Sequence, residues 1–595
     1  MASHFKLHEP VSAAAVQGIP TLPILDDLTE SARNTLAQNI VSDFSRWKEA
    51  RAPLEATWRE CWEAYLCDMG SLYAQAEDGA PDRSRVVRPV LYEAVESLHA
   101  NLLNSLFPAG ERFFSVHGKT EADHQKASVI EEFLRTKLQD MCFIERYGRF
   151  LKQAIITGNT VAAVPWRRER AKRRQTEPIT LFGVTVGHRR VVVDELVANG
   201  PSFEVLDMFD FLIDPDAVDF QQAKVIRRLK RPLDALRANP AYGNLEGLTP
   251  DGAASPEADS AKAARRQAFG IQEGSLQGSG GREGLVTLLE AWGDFRIDGV
   301  VYQNYVCTVA AGSRVIRFEP NPYDCGEKPF VFTTFIPVPN EVYGIGAIEK
   351  SLGLQHAINT LTNQKLDVIN ISINSPFTYL VNDDVFDPNN LVTRPGALIP
   401  VKSHDTLKPV QYLNNFTVAF SEIADLKNEL QEATGALKYF TGASSGGSER
   451  TATEVSALVQ GGAQKFSSVI NHLEQTSLEP FLQVIFAQAK QFLREPEMLR
   501  VARNDGSMEF VRILPDLLRQ AQCAFRIDGS QAAVLKGREL EALVTFLKLV
   551  NGNDALARQV NVMELYKRIY RRLGFRDEEQ IFLPVPGPTT EEERP

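Results

Sequence analysis

At 595 residues, 44% hydrophobic and 24% charged, the chain is long enough for three or four structural units and ordinary in composition for a globular protein. Its formal charge of −11 excludes the basic surplus by which proteins that grip DNA neutralise phosphates. Six scattered cysteines without a CxxC pair exclude a zinc or disulfide framework, and buried, inert thiols are expected. No run approaches the ~18 apolar residues of a membrane span. The N-terminus, MASHFKLHEPVSAAAVQGIPTLPI, lacks a signal-peptide pattern, so a cytoplasm is the expected compartment.

From Asp26 to about Cys67 the pattern is helical, with Phe44, Trp47, Leu54, Trp58, Trp62 and Leu66 recurring three to seven residues apart. Segments 89–107 and 124–157 read the same way, the second closed by Gly158-Asn159 as a C-cap. TVAAVPW (160–166) reads as a short buried strand and FEVLDMFDFLIDP (203–215) as extended structure broken at Pro215. Residues 240–285 are rich in Gly, Ala, Ser and Glu without apolar periodicity, the composition of a surface insertion expected to be largely disordered. Strands resume at LVTLLEAWGDFRIDGVVYQNYVCTV, where Asp298-Gly299 marks a type I′ hairpin turn.

A polar helix is expected from Gly344 to Asn374, with Ile348, Leu352, Ile358 and Leu361 on one side. Asn359, Asn363, Gln364, Asp367 and Asn370 are unusually many polar residues for it. Pro376 stops it, short strands follow, and a second helix spans 416–434. Thr451 and Glu454 form a capping box. An apolar stripe then runs to Phe492, a rod of roughly 60 Å with a kink expected at Pro480. A strand-bearing stretch (509–530), two short helices and a proline-rich acidic tail complete the chain.

Between the second helix and the rod lies GASSGGS. Gly442, four residues and Gly447 open like a phosphate loop, but Ser448 and Glu449 stand where Lys and Ser or Thr belong. The glutamate repels phosphate, and the preceding residues read as helix rather than strand. Gly344-Ile-Gly346 lacks the third glycine of a dinucleotide fingerprint, Glu349 holding that position, and helix entry accounts for it better. No nucleophile–base pair stands out. The expectation is a protein that is not an enzyme, with no cofactor and no metal.

Two charge constellations remain. Glu422, Asp425, Glu429 and Glu432, spaced three, four and three apart, line one helix face, either as a solvated acidic face or as a functional one. WRRERAKRR (166–174) supplies Arg167, Arg168, Arg170, Lys172, Arg173 and Arg174, and IRRLKR (226–231) is a second basic run. Both are open to three readings: a phosphate contact, a solvated hairpin, or an ion-pair partner for an acidic neighbouring subunit.

The order of elements is an α/β block, a polar helix, a β excursion, a second helix, a glycine-serine loop, a long helix and small C-terminal helices. It resembles the portal (head–tail connector) proteins of tailed phages, most closely those of short-tailed phages. EVYGIGAIEKSLGLQHAINTLTNQKLDVINISINSPFTYLVNDD (341–384) and SERTATEVSALVQGGAQKF (448–466) carry the likeness. FLKQAIITGNTVAAV (150–164) and FEVLDMFDFLIDP add to it, across about residues 30–580.

The resemblance implies a mainly α subunit with an α+β wing, built as wing, stem, clip, tunnel loop and crown and closing into a ring, usually a dodecamer. The wing would be 1–340 with its flexible insertion 240–285, and the stem helices 341–374 and 416–434 around a clip at 375–415. The tunnel loop would be 435–452, carrying Lys438, Tyr439, Phe440, Gly442, Gly446 and Gly447. The long helix and wing return would be 453–533, and the crown with a disordered acidic tail 534–595. Glu422, Asp425, Glu429 and Glu432 would face the channel.

The implied role is the capsid-vertex channel for genome packaging and ejection, assembled in the host cytoplasm, with no membrane. Its partners would be double-stranded DNA passing non-specifically, a terminase that hydrolyses ATP, tail adaptor or nozzle proteins at the clip, and capsid and scaffolding proteins at the wing. Twelve copies of a −11 chain carry about −132, and DNA slides past acids where it would stick to bases. The rival classes are a structural scaffold or minor capsid protein without a channel, and an NTP-driven translocase.

Overall fold

The computed structural model describes residues 23–68, 84–108, 113–181, 184–250, 284–373, 377–379, 407–409, 416–434, 467–502 and 508–528, with isolated positions between 543 and 566. Contacts divide the chain into two units. One comprises Met1–His99, Lys137–Ser448 and Val484–Pro496, and the other Ala100–Thr136, Glu449–Gln483 and Glu497–Pro595.

The spine of the first unit is α1 (Glu30–Leu66). Thr29 caps it, accepting from the Ala32 N–H at 3.2 Å, and Cys67 ends it in the left-handed region at φ 58°. Its buried stripe holds Leu36, Ile40, Trp47, Trp58 and Cys61. Arg51 and Glu55 share that stripe and pair at 2.7 Å, with Arg51 also donating to the Phe211 carbonyl at 2.6 Å. The charges stay buried because every strong donor and acceptor has a partner.

Helix α2 (Val90–Leu106), strand β1 (Phe114–Gly118) and helix α3 (Glu121–Asp140) follow. The single helix expected over 124–157 is two: Cys142, at φ 51°, breaks the chain between α3 and α4 (Phe143–Thr157). Gly158, at φ 78°, caps α4 through its N–H to the Ala154 carbonyl, and β2 (Asn159–Ala163) is buried along its whole length.

Strands β3 (Trp166–Leu181) and β4 (Val184–Pro201) form a ribbon of their own. The extended stretch expected at 203–215 is two short strands, β5 (Glu204–Leu206) and β6 (Phe211–Ile213), separated by a 3-10 turn over Met208–Asp210. β7 (Val225–Pro232), β8 (Leu285–Ile297), β9 (Val300–Ala310) and β10 (Arg314–Pro320) complete a five-stranded antiparallel sheet in the order β10-β9-β8-β7-β6. Asp298 and Gly299 both take positive φ, 49° and 83°, as a type I′ turn requires. β11 (Phe330–Thr334) pairs β2, which pairs β5.

Both faces of the large sheet are covered, so alternate side chains feed different cores. Leu289, Ala291, Phe295 and Cys307 pack under the first half of α1. Val286, Leu288, Ala310 and Ile316 meet Leu236 and Leu248 on the other side. That second core corrects the insertion reading at its start: residues 240–250 are anchored, with Gly243 N–H donating to the Ile316 carbonyl at 2.8 Å. Residues 251–283 lie outside the described ones.

Helix α5 (Leu352–Ile373) is preceded by a 3-10 turn at Glu349–Ser351, so Gly344 to Ile348 are not helical as expected. Beyond it, β12 (Phe377–Tyr379) pairs with β13 (Leu407–Pro409), and α6 (Phe416–Thr434) returns against α5. The described part of the long rod is helical from 467 and ends in α7 (Glu479–Phe492). The kink expected at Pro480 is a π turn over Glu474–Leu478 just before it, which relaxes the backbone where proline supplies no N–H.

In the second unit, β14 (Glu497–Ala502) and β15 (Met508–Ile513) form a hairpin, and β16 (Cys523–Ile527) pairs antiparallel with β1. The thiols are not uniformly buried: Cys142 and Cys325 are exposed, Cys61 and Cys307 buried. No helix among the described residues is long and apolar enough to cross a membrane.

Candidate functional site: a helix pair and its joint

Helix α5 is fixed to the first unit at its base by a close-packed joint. Asn159 reads the backbone of Gly344 in both directions: its Nδ2 donates to the Gly344 carbonyl at 3.0 Å and its Oδ1 accepts from the Gly344 N–H at 2.8 Å. Ile336 and Ile345 exchange a pair of backbone bonds at 2.9 and 3.2 Å. A Cβ on Gly158 would lie 2.5 Å from the Gly346 nitrogen, and one on Gly344 2.5 Å from the Thr334 Cβ. The glycines expected to open a helix instead let two backbones touch.

Tyr343 adds a second tie. Its hydroxyl accepts from Arg51 Nη1 and from the Ile213 N–H, both at 3.3 Å. Burial opposes the Arg51 charge, but Tyr343 and Glu55 raise its pKa above the ordinary value. Burial pushes the Lys48 ammonium down despite the carboxylate of Glu55 at 2.8 Å.

The polar residues of α5 have a purpose the sequence did not disclose. Gln355, Asn359, Asn363 and Asp367, four apart, accept from the backbone N–H groups of Leu91, Arg88, Val86 and Ser84 at 3.2, 3.0, 2.8 and 2.7 Å. Gln355 and Asn363 also donate back, to the carbonyls of Arg88 at 2.7 Å and Val86 at 3.1 Å. A helix advances about 6 Å in four residues and an extended chain about 6.6 Å in two, so the rungs nearly coincide. The helix therefore serves residues 84–88 as a neighbouring strand would. Gln364 and Asn370 point away and are exposed. Gln355 was missed; the signal was the strict four-residue period of amides closed by one acid.

Helix α6 turns its apolar side in and its acids out. Ile423, Leu430 and Thr434 are buried, while Glu422, Asp425, Glu429 and Glu432 are all exposed within an arc of about 80°. The sequence-expected acidic face is thus one continuous exposed strip on the helix that packs against α5.

The other sequence candidates separate. Arg167 pairs with Glu169 at 2.6 Å and Arg168 with Glu495 at 3.3 Å. Arg170 sits opposite Leu196 in the ribbon register, and Lys172, Arg173 and Arg174 are exposed further along it. In the second basic run, Arg227 and Arg228 hold Glu204 and Asp210 at 3.1 and 2.5 Å. Those two arginines are paired internally, while Lys230 and Arg231 at the end of the run are exposed. Lys438, Tyr439, Phe440, Gly442, Gly446 and Gly447, most of 375–415 and all but isolated positions of 534–595 lie outside the described residues. GASSG also spells Gly-x-Ser-x-Gly around Ser444. The nearest described element before it is helix α6, whereas a nucleophile elbow follows a strand.

Comparison with known families decides the class. Residues 177–595 match the family described as phage SU10 portal protein, more than two thirds of the chain, including α5, α6 and everything between and after them. The chain belongs to the phage SU10 portal protein family. As a portal protein it is a structural component of a phage virion, and the mixed helix and strand content fits that class. The match begins inside the β3–β4 ribbon, so helices α1 to α4 lie ahead of it.

Proposed function

We propose that this portal protein closes into a ring of twelve at the capsid vertex of a short-tailed phage. Through the ring's channel the genome is packaged and ejected. In this reading α5 and α6 are the stem, and 375–415 the clip on which tail adaptor or nozzle proteins dock. Residues 435–452 are the tunnel loop, 1–340 the wing facing capsid and scaffolding proteins, 453–533 the long helix and wing return, and 534–595 the crown. A separate terminase drives the DNA.

The observation that carries the reading is the exposed acidic strip Glu422, Asp425, Glu429 and Glu432 on α6. Four like charges on one face cost a lone helix only about 0.2–0.5 kcal/mol per neighbouring pair, which an exposed strip tolerates. Repeated around a ring they form stacked negative belts that hold phosphates off the wall, and DNA slides. The outer end of α5 supports assembly too: Val368, Ile371 and Ile373 are exposed on one subunit, the last at 74%. Mass photometry with negative-stain microscopy of the purified protein tests the ring. Twelve copies of 66.2 kDa give a particle of roughly 790 kDa with a central hole. Monomers or dimers under every assembly condition overturn it.

A further inference from the structure

The β3–β4 ribbon has no partner among the described strands: it is a two-stranded sheet of sixteen and eighteen residues joined to no third strand. Its root is firmly held. Trp166 Nε1 donates to Asn199 Oδ1 at 3.1 Å, the Trp166 ring stacks on Phe492, and Lys137 donates to the Asn199 carbonyl at 3.2 Å. Arg168 pairs with Glu495 at 3.3 Å just beyond. From Glu169 outward the paired strands run on to Leu181 and Val184, a reach of roughly 40 Å. A two-stranded ribbon alone in water is marginal at best, so one of this length calls for a surface to lie on.

Its charge says which surface. Residues 166–201 hold eight Arg and Lys against four Asp and Glu, on a chain whose total is −11. The register puts Lys172, Arg174, Arg190 and Val192 on one face, with Asp194 opposite Lys172, and Arg173, Arg189 and Val191 on the other, with Glu177 opposite Arg189. The described cations at 172–174 and 189–190 are exposed, and so is Val192, at 58%. Valine among the cations, and four acids interspersed with them, suit a protein surface; a phosphate-tracking face is more uniformly polar and positive. The acidic counterpart is carried by the rest of each chain.

Resting on the ring reading above, we infer that the ribbon is an intersubunit arm, anchored on its own subunit at Trp166 and laid along an acidic surface of the neighbouring copy. It ties adjacent subunits by exchange of an element rather than by flat contact.

The test uses full-length protein with the photocrosslinker p-benzoylphenylalanine in place of Val192, assembled from a mixture of isotopically light and heavy chains. Irradiated rings are expected to give light–heavy covalent dimers whose linked peptide is acid-rich. Rings that crosslink only within one chain, or only to added duplex DNA, overturn the arm and leave the ring standing. Chains that never assemble overturn both. The double variant Arg174→Glu and Arg190→Glu, whose register partners Val192 and Thr176 are uncharged, should raise the protomer concentration for half-assembly by about tenfold or more. The melting of the dissociated subunit should stay unchanged. Unaltered assembly of that variant contradicts the proposal.

Discussion

The two packed helices α5 and α6 carry similar numbers of polar residues and use them in opposite ways. On α5 the polar stripe faces inward, and three amides and one acid are consumed by the backbone of residues 84–91. On α6 the four acids face outward as a strip of one sign. The difference follows from chemistry. A carboxamide offers both donor and acceptor at no charge, which is what an unpaired peptide group needs. A row of carboxylates buried without cations would cost far more than it returned. Polar spacing on a helix therefore has two meanings, and residue type separates them.

The joint should be the most sensitive point of that contrast. Gly158→Ala places a Cβ against the Gly346 backbone at a left-handed φ and is expected to cost ~3 kcal/mol or more, read as a large fall in thermal midpoint or loss of soluble protein. Gly353→Ala, in α5 with nothing within 4 Å, should leave the midpoint level or raise it. Equal behaviour of the two would dissolve the joint.

Next in size is the ladder. Asn363→Leu removes the partner of both the N–H and the carbonyl of Val86, two part-buried bonds worth about 0.5–1.5 kcal/mol each. Amide hydrogen exchange at Val86 and Arg88 should accelerate at least about tenfold. Gln364→Leu, one residue along and exposed, is expected to change stability by less than about 0.5 kcal/mol and leave that exchange alone.

The acidic strip should be nearly silent for folding. Glu422→Gln, Asp425→Asn and Glu429→Gln together are expected to shift the thermal midpoint little, by the equivalent of about 0.5 kcal/mol or less per site. Changing the same three to Lys should leave rings intact and impair DNA passage in a packaging assay. Unchanged packaging would return the strip to a solvated surface.

The smallest effect is on pH. Burial pushes the Cys61 thiol up to about 12 from 9.0, so the folded state holds a proton that the unfolded chain releases sooner. Its contribution to stability is whole below pH 9 and lost as pH rises towards 12. Cys61→Ser should flatten that part of the stability–pH curve.

What could be read from the sequence was what has a local cause. The I′ turn at Asp298-Gly299, the Gly158 cap and the acidic face of α6 follow from single residues or a helical period. The joint could not be read so: Gly158 and Asn159 meet Gly344 and Gly346 across almost two hundred residues, and nothing near Gly344 says that another backbone will lie against it. The break at Cys142 was hidden because a non-glycine residue takes the left-handed conformation there. The ladder was half visible. Its polar residues stood out, but their partner, an extended stretch with no strand pattern of its own, did not.

The central claim is that the α6 acids form the wall past which DNA slides, and cryo-electron microscopy of the purified protein tests it most directly. The account predicts a closed ring in which Glu422, Asp425, Glu429 and Glu432 of every copy point toward the axis. A closed ring with that strip on its outer wall, or sealed between subunits, would contradict it.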